Sequence, residues 1–156
     1  MIIHTCEQRS PEWYAIRAGK ITSSIIADVM AGGKGITRRN AMIKLIAERM
    51  TGICDQNGYS NGYMQWGIEH EPEAKDHYEA LNFVNVRQVG FVEMNEWVGC
   101  SPDGLVGEDG LIELKCPASH THIEYILADR CPPEYVKQIQ HQLWVTGRQW
   151  CDFMSY

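Results

Sequence analysis

Ser101-Pro102-Asp103-Gly104, then, beyond the acidic turn Gly107-Glu108-Asp109-Gly110, Leu111-Ile112-Glu113-Leu114-Lys115-Cys116-Pro117: this stretch decides the fold. Side chains alternate faces along a strand, so Glu113 and Lys115 point the same way and Leu114 points into the core. A hairpin of this length folds Asp103 back beside Glu113. Two carboxylates and an ammonium then converge at one end of a sheet. That is the donor set of a Mg²⁺ site with a lysine next to it, and the chemistry it suits is phosphodiester hydrolysis.

Each piece also has an ordinary explanation. Glu and Lys two apart on a strand usually form a solvated face with a weak ion pair, and Asp-Gly after Pro is usually a turn. The neighbours argue for more. Leu111, Ile112 and Leu114 make the second segment an interior strand. Charged residues inside such a strand need partners, and a cation bound at the carboxylates would explain the two together.

The 156 residues, 44% of them hydrophobic, fit one globular domain with an ordinary core. No apolar run approaches a membrane span, and the opening Met1-Ile2-Ile3-His4-Thr5 has no secretory pattern. Six scattered cysteines without Cys-x-x-Cys fit a reduced, cytoplasmic protein. The net charge of −6 is unevenly spread: residues 1–50 hold eight Lys/Arg against four acidic residues, and the remainder six against sixteen. The first third is thus the part suited to phosphate contacts, with Arg38, Arg39 and Lys44 as candidates. The acidic remainder needs cations to tolerate a polyanion.

Ser10-Pro11-Glu12-Trp13 opens a short helix ending near Gly19, and Thr22-Ser23-Ser24 caps a second through Met30. Gly32 to Gly35 forms a break. Thr37 to Met50 is an amphipathic helix stopped by Gly52. Residues 53–62 form a loop rich in Asn and Gly, followed by a helix from Met64 to Leu81. Strands are expected at Val84–Val86, Val89–Met94, Trp97–Ser101 and Leu111–Lys115. Helices near His122–Ala128 and from Pro133 to Val145 precede a last strand, Trp150–Tyr156. The expectation is an α/β (α+β) domain around one mixed sheet.

This order, with Asp103 and Glu113-x-Lys115 on the central hairpin, resembles the restriction-endonuclease-like core of the PD-(D/E)xK nuclease superfamily. More narrowly, the chain resembles phage lambda-type exonucleases and the YqaJ-type viral recombinase family. The resemblance is carried by Trp13 through Thr22, Trp66-Gly67 through Glu71, Cys100 through Leu105, Glu113 through Pro117, and Tyr135 through Gln140 with Trp144-Val145-Thr146. It implies one nuclease domain over 1–156: a helical part, 1–52, with DNA contacts, and a catalytic core, 63–156. Glu71, Asp103, Glu113 and the carbonyl of Leu114 would bind Mg²⁺, with Mn²⁺ also accepted. Lys115 would sit beside the attacking water, and Gln138 and Tyr135, sharing a helix face, would face the site. Arg17, Ser24, Ser101 and Tyr135 would bind the DNA and its 5′-terminal phosphate.

The implied activity is degradation of the 5′-ended strand of linear duplex DNA. The implied partner is a single-strand annealing protein of phage recombination, and the implied assembly a homotrimeric ring in the bacterial host cytoplasm. Three other readings stay open: a restriction-type endonuclease of the same superfamily, a non-catalytic DNA-binding module of the same fold, and a zinc protein using His120-x-His122 with Cys116 or Cys131.

Overall fold

A computed structural model describes residues 1–54 and 62–156. Most of the expected loop at 53–62 lies outside them. Strand β1 (Ile2–His4) leads into helix α1 (Pro11–Arg17), capped at its start by the Ser10 hydroxyl, which accepts from the Trp13 amide. A 3₁₀ turn (Ser23–Ile25) runs into the short α2 (Ile26–Val29), and α3 (Thr37–Thr51) ends at Gly52 in the left-handed conformation. Thr22 precedes the 3₁₀ turn without capping it; its hydroxyl instead lies 3.1 Å from that of Ser24.

Helix α4 (Gly62–Asn82) carries Pro72 in its interior, so no amide there donates to the Ile68 carbonyl. Next come β2 (Val86–Arg87), β3 (Phe91–Glu93), β4 (Gly99–Cys100), β5 (Gly104–Val106) and β6 (Gly110–Lys115). Helices α5 (Ser119–Ala128) and α6 (Pro133–Thr146) and strand β7 (Trp150–Ser155) follow.

The strands pair as two sheets rather than one, in the orders β1-β3-β4 and β2-β5-β6-β7. The passage between them runs through buried Pro102, which has no amide with which to continue a ladder. In the second sheet β5 lies antiparallel to β6, with Gly104 opposite Ile112, and β7 lies parallel to β6. Strand β6 is buried on both faces. Ile112 and Leu114 pack with Ala74 and Tyr78 of α4 and with Val86 and Val106, while Leu111 packs with Val89, Val92, Cys100 and Val145 of α6. That double burial explains the near-continuous apolar run, and it delivers Glu113 to a dry interior.

The turn joining β5 to β6 is clamped by Arg148, whose guanidinium donates to the carbonyls of Val106, Gly107 and Gly110. Gly110 itself lies close against the Trp150 indole, where an added Cβ would meet the ring at 2.1 Å. No helix among the described residues is long and apolar enough to cross a membrane.

Candidate active site

The centre of the site is Glu113, a carboxylate with no exposed surface. An isolated buried charge would cost several kcal/mol, and here donors surround it. Gln138 donates to Oε1 at 2.5 Å and Gln142 to Oε2 at 2.8 Å, both from one face of α6. The Lys115 ammonium also bonds Oε1, and donates to the Leu114 carbonyl at 3.1 Å. Its Nζ lies 5.2 Å from the centre of the Tyr135 ring. Burial alone would push the Lys115 pKa down, but the charges of Glu113 and Asp103 outweigh it and hold the amine above its ordinary value.

Continuing the β5–β6 register sets Asp103 opposite Glu113, where its Oδ2 accepts from the Leu114 amide at 2.7 Å. Burial, and then the negative charges of Glu113 and Glu71, push Asp103 well above the usual carboxylate range, with Lys115 and the Leu114 amide pulling back only in part. The expected hairpin therefore does bring Asp103, Glu113, Lys115, Gln138 and Tyr135 together.

Glu71 approaches Asp103 from α4. Its Oε2 accepts from Arg9 at 3.1 Å, and Arg9, Glu71 and Asp103 line one cleft of about 410 Å³ together with Gln8, Ile68 and Pro72. Among the described residues, however, no three His, Cys, Asp or Glu side chains stand at metal-ligand spacing. The same observation leaves His120, His122, Cys116 and Cys131 without a zinc cluster, and the His122 ring instead bonds the Ser155 hydroxyl at 2.7 Å. The donors of the acidic site are nonetheless hard oxygens, the type Mg²⁺ takes. Asp103 is raised first by burial and then by the charges of Glu113 and Glu71, and a divalent cation would offset that repulsion. Chemically the set fits such an ion, once Lys115 and Arg9 release the oxygens they now hold.

A second cluster lies along α1. Arg17 stacks over the Trp13 indole at 4.0 Å and points Nη2 at the hydroxyls of Ser24 (3.4 Å) and Thr22 (3.5 Å). The Trp13 indole N–H donates to the Ser101 hydroxyl at 2.8 Å and to the Gly90 carbonyl at 2.9 Å. Ser101 in turn donates to Gly90 at 2.8 Å, so it can offer its proton to an anion only by leaving that carbonyl to Trp13. Arg17 and Ser24 are thus together, with Ser101 reached through Trp13. Arg38, Arg39 and Lys44 lie on exposed parts of α3.

Sequence reading passed over Gln142, His141 and Arg9. Gln142 has a legible signal, standing one helical turn beyond Gln138. His141 bonds Ser23 at 2.8 Å from within α6, a partner 118 residues away that no local pattern announces. Arg9 sits at φ 69°, a left-handed conformation that costs a non-glycine residue about 1 kcal/mol.

Comparison with known proteins follows the same lines. The family model of the YqaJ-like viral recombinase domain matches residues 12–149. The fold superposes with a TM-score of 0.85 on LHK-Exo, an alkaline exonuclease from Laribacter hongkongensis, at 47% identity over 94% of this chain and 74% of that one. That protein has also been solved in complex with dAMP. A phage-related exonuclease from Haemophilus somnus 129PT shares the fold, with a TM-score of 0.63 at 18% identity over 88% of this chain and 68% of the other. Uncharacterized protein R354 of Acanthamoeba polyphaga mimivirus is 25% identical over 164 residues, covering 96% of this chain. This chain spans only 29% of that viral protein's length.

Proposed function

This chain belongs to the YqaJ-like viral recombinase family, and we propose that it is a Mg²⁺-dependent deoxyribonuclease that degrades the 5′-ended strand of linear duplex DNA. The observation that carries the reading is the meeting of Asp103, Glu113 and Lys115 on a strand buried from both sides, in a chain 47% identical to an alkaline exonuclease. The complex of that relative with dAMP supports a deoxynucleotide as the product.

Glu71, Asp103, Glu113 and the Leu114 carbonyl would hold Mg²⁺, or Mn²⁺ in its place. When bound, the ion supplies Lewis acidity toward the phosphate and lowers the pKa of water. The chain's own residues do the rest. Gln138 and Gln142 fix Glu113 in one orientation, and Tyr135 bounds the space in which Lys115 moves. Lys115, kept charged by its neighbours, orients the attacking water and offsets negative charge that grows on the phosphate in the transition state. Arg17, Ser24 and Ser101 hold the 5′-terminal phosphate, and this sets the polarity of digestion. In this reading residues 1–52 supply DNA contacts and residues 63–156 the catalysis. A single-strand annealing protein would take the 3′-tailed product, a homotrimeric ring would make digestion processive, and the setting would be the bacterial host cytoplasm.

Digestion of linear and covalently closed circular duplex DNA with Mg²⁺, alongside Glu113→Ala and Lys115→Ala, tests the proposal. Steady loss of 5′-ended strands from linear DNA only, abolished by either substitution, is the expected result. Cutting of circles would replace it with a restriction-type endonuclease, and DNA binding without hydrolysis would replace it with a non-catalytic binding module.

A further inference from the structure

The turn between β1 and α1 places a cation beside the acidic site for which the chemistry above has no use. Arg9 holds φ at 69°, a value glycine adopts freely and arginine does not. Such a conformation persists where the surroundings impose it, and here they do. The Gln8 amide bonds the carbonyls of Val89 and Pro102, both at 3.0 Å, while Ser10 caps the helix that follows. Pro102 immediately precedes Asp103, so the turn is braced directly against the acidic hairpin.

The brace aims the Arg9 guanidinium at Glu71, with Nη2 3.1 Å from Oε2. Those side chains are 44% and 23% exposed, and an ion pair as open as this contributes little to stability. It does not account for an arginine where glycine would fit without strain. A phosphate does. The guanidinium fork matches phosphate oxygens, and the cleft that Arg9 shares with Asp103 and Glu71 opens beside the proposed hydrolytic centre.

We propose that Arg9 is a phosphate-binding residue for the DNA strand in this cleft. In the free protein it neutralises Glu71; with DNA and metal present it takes a non-bridging oxygen of a backbone phosphate while Glu71 turns to the ion. The inference rests on the nuclease reading and adds to it a backbone contact separate from the 5′-terminal pocket of Arg17 and Ser24.

The test is fluorescence anisotropy with a labelled, 5′-phosphorylated duplex over a series of NaCl concentrations. Ca²⁺ replaces Mg²⁺ so that the strand is bound and not cut. Arg9→Gly suits the turn, so its Tm should equal or exceed that of the wild type. Loss of one phosphate contact should make the slope of log K against log salt shallower by about 0.7 to 0.9, and weaken binding at ~0.1 M salt roughly five- to eightfold. Arg9→Lys should keep most of the slope. Calorimetry should show Mg²⁺ binding to Arg9→Gly at least as tightly as to the wild type, because Glu71 is released. Arg9→Gly with the wild-type slope and affinity would overturn the proposal. A wild type that binds DNA but never hydrolyses it with Mg²⁺ would remove the nuclease reading alone, and the Arg9 contact would still be decided by the slope. A wild type that binds no DNA would overturn both.

Discussion

Asp103→Asn should stabilise the metal-free protein, and the gain should grow with pH. The Asp103 carboxyl is held above its ordinary value by burial and by Glu113 and Glu71, whereas in the unfolded chain it titrates near 3.9. Below about pH 4 it is protonated in both states and costs nothing. As the pH rises toward the folded value, the native state must carry a desolvated charge facing two others, and above it the penalty is complete. Each unit of separation is worth 1.36 kcal/mol, and counting about two units, half of the rise from the ordinary 3.8 to about 8, because water in the open cleft screens the rest, gives about 2.7 kcal/mol. Asn keeps an oxygen for the Leu114 amide at 2.7 Å, but exchanging a charge-assisted bond for a neutral one costs about 1 kcal/mol. The net gain is about 1.5–2 kcal/mol, or roughly 3–8 °C in Tm for a chain of this size. Thermal melts in EDTA at alkaline and at mildly acidic pH measure it. Adding Mg²⁺ should then stabilise the wild type and not the variant. A variant less stable than the wild type at alkaline pH, or one with the same gain at both pH values, would refute the reasoning.

Other perturbations probe the supports of the site. Gln142→Leu removes a donor to Glu113 worth about 1.5–3 kcal/mol. Because the Gln142 carbonyl oxygen is itself buried with no partner among the described residues, the net loss in urea melts should be about 1–2 kcal/mol. Steady-state digestion by that variant should show kcat reduced at least tenfold at unchanged KM. Burial holds the His141 pKa below its ordinary value, so its contribution to stability is full above about pH 6.5 and is lost as the pH falls toward the depressed value. Urea titrations of wild type and His141→Gln should therefore diverge in slope below neutrality, by up to about 1.4 kcal/mol per pH unit. At Gly104 an added Cβ would lie 2.1 Å from the Val86 side chain, and Gly104→Ala should cost about 1–3 kcal/mol in thermal melts. Gly32→Ala, with nothing within 4 Å, should change stability by no more than about 0.5 kcal/mol.

What was legible followed from local chemistry. Strand β6 was readable because burial on both faces leaves a continuous apolar run, and α3 because its apolar spacing ends at Gly52 in a left-handed stop. The helix boundaries of α5 and α6 fell within a few residues. Strand β1 left no mark in the sequence: Ile2 is exposed, and the segment is a strand only because Ile3 pairs with Val92. Strand β5 begins with a glycine and spans three residues, so its identity comes from Leu111 and Ile112 across the ladder. The site divides the same way. Asp103, Glu113 and Lys115 announce themselves by spacing along one hairpin. The Arg9 pairing with Glu71 joins residues 62 apart, and no pattern within either segment encodes it.

The parallel pairing of β6 with β7 also sets a schedule. Gly110 through Lys115 find their outer neighbours in Trp150 through Ser155, with two helices synthesised in between. Ribosomes deliver a chain from its N-terminus, and long-range pairing waits for its partner. While the protein is being made, the acidic hairpin is therefore exposed along one edge, and the α6 glutamines that orient Glu113 are not yet in place. On the proposed nuclease reading, hydrolysis waits until the segment through Ser155 has emerged and completed the sheet.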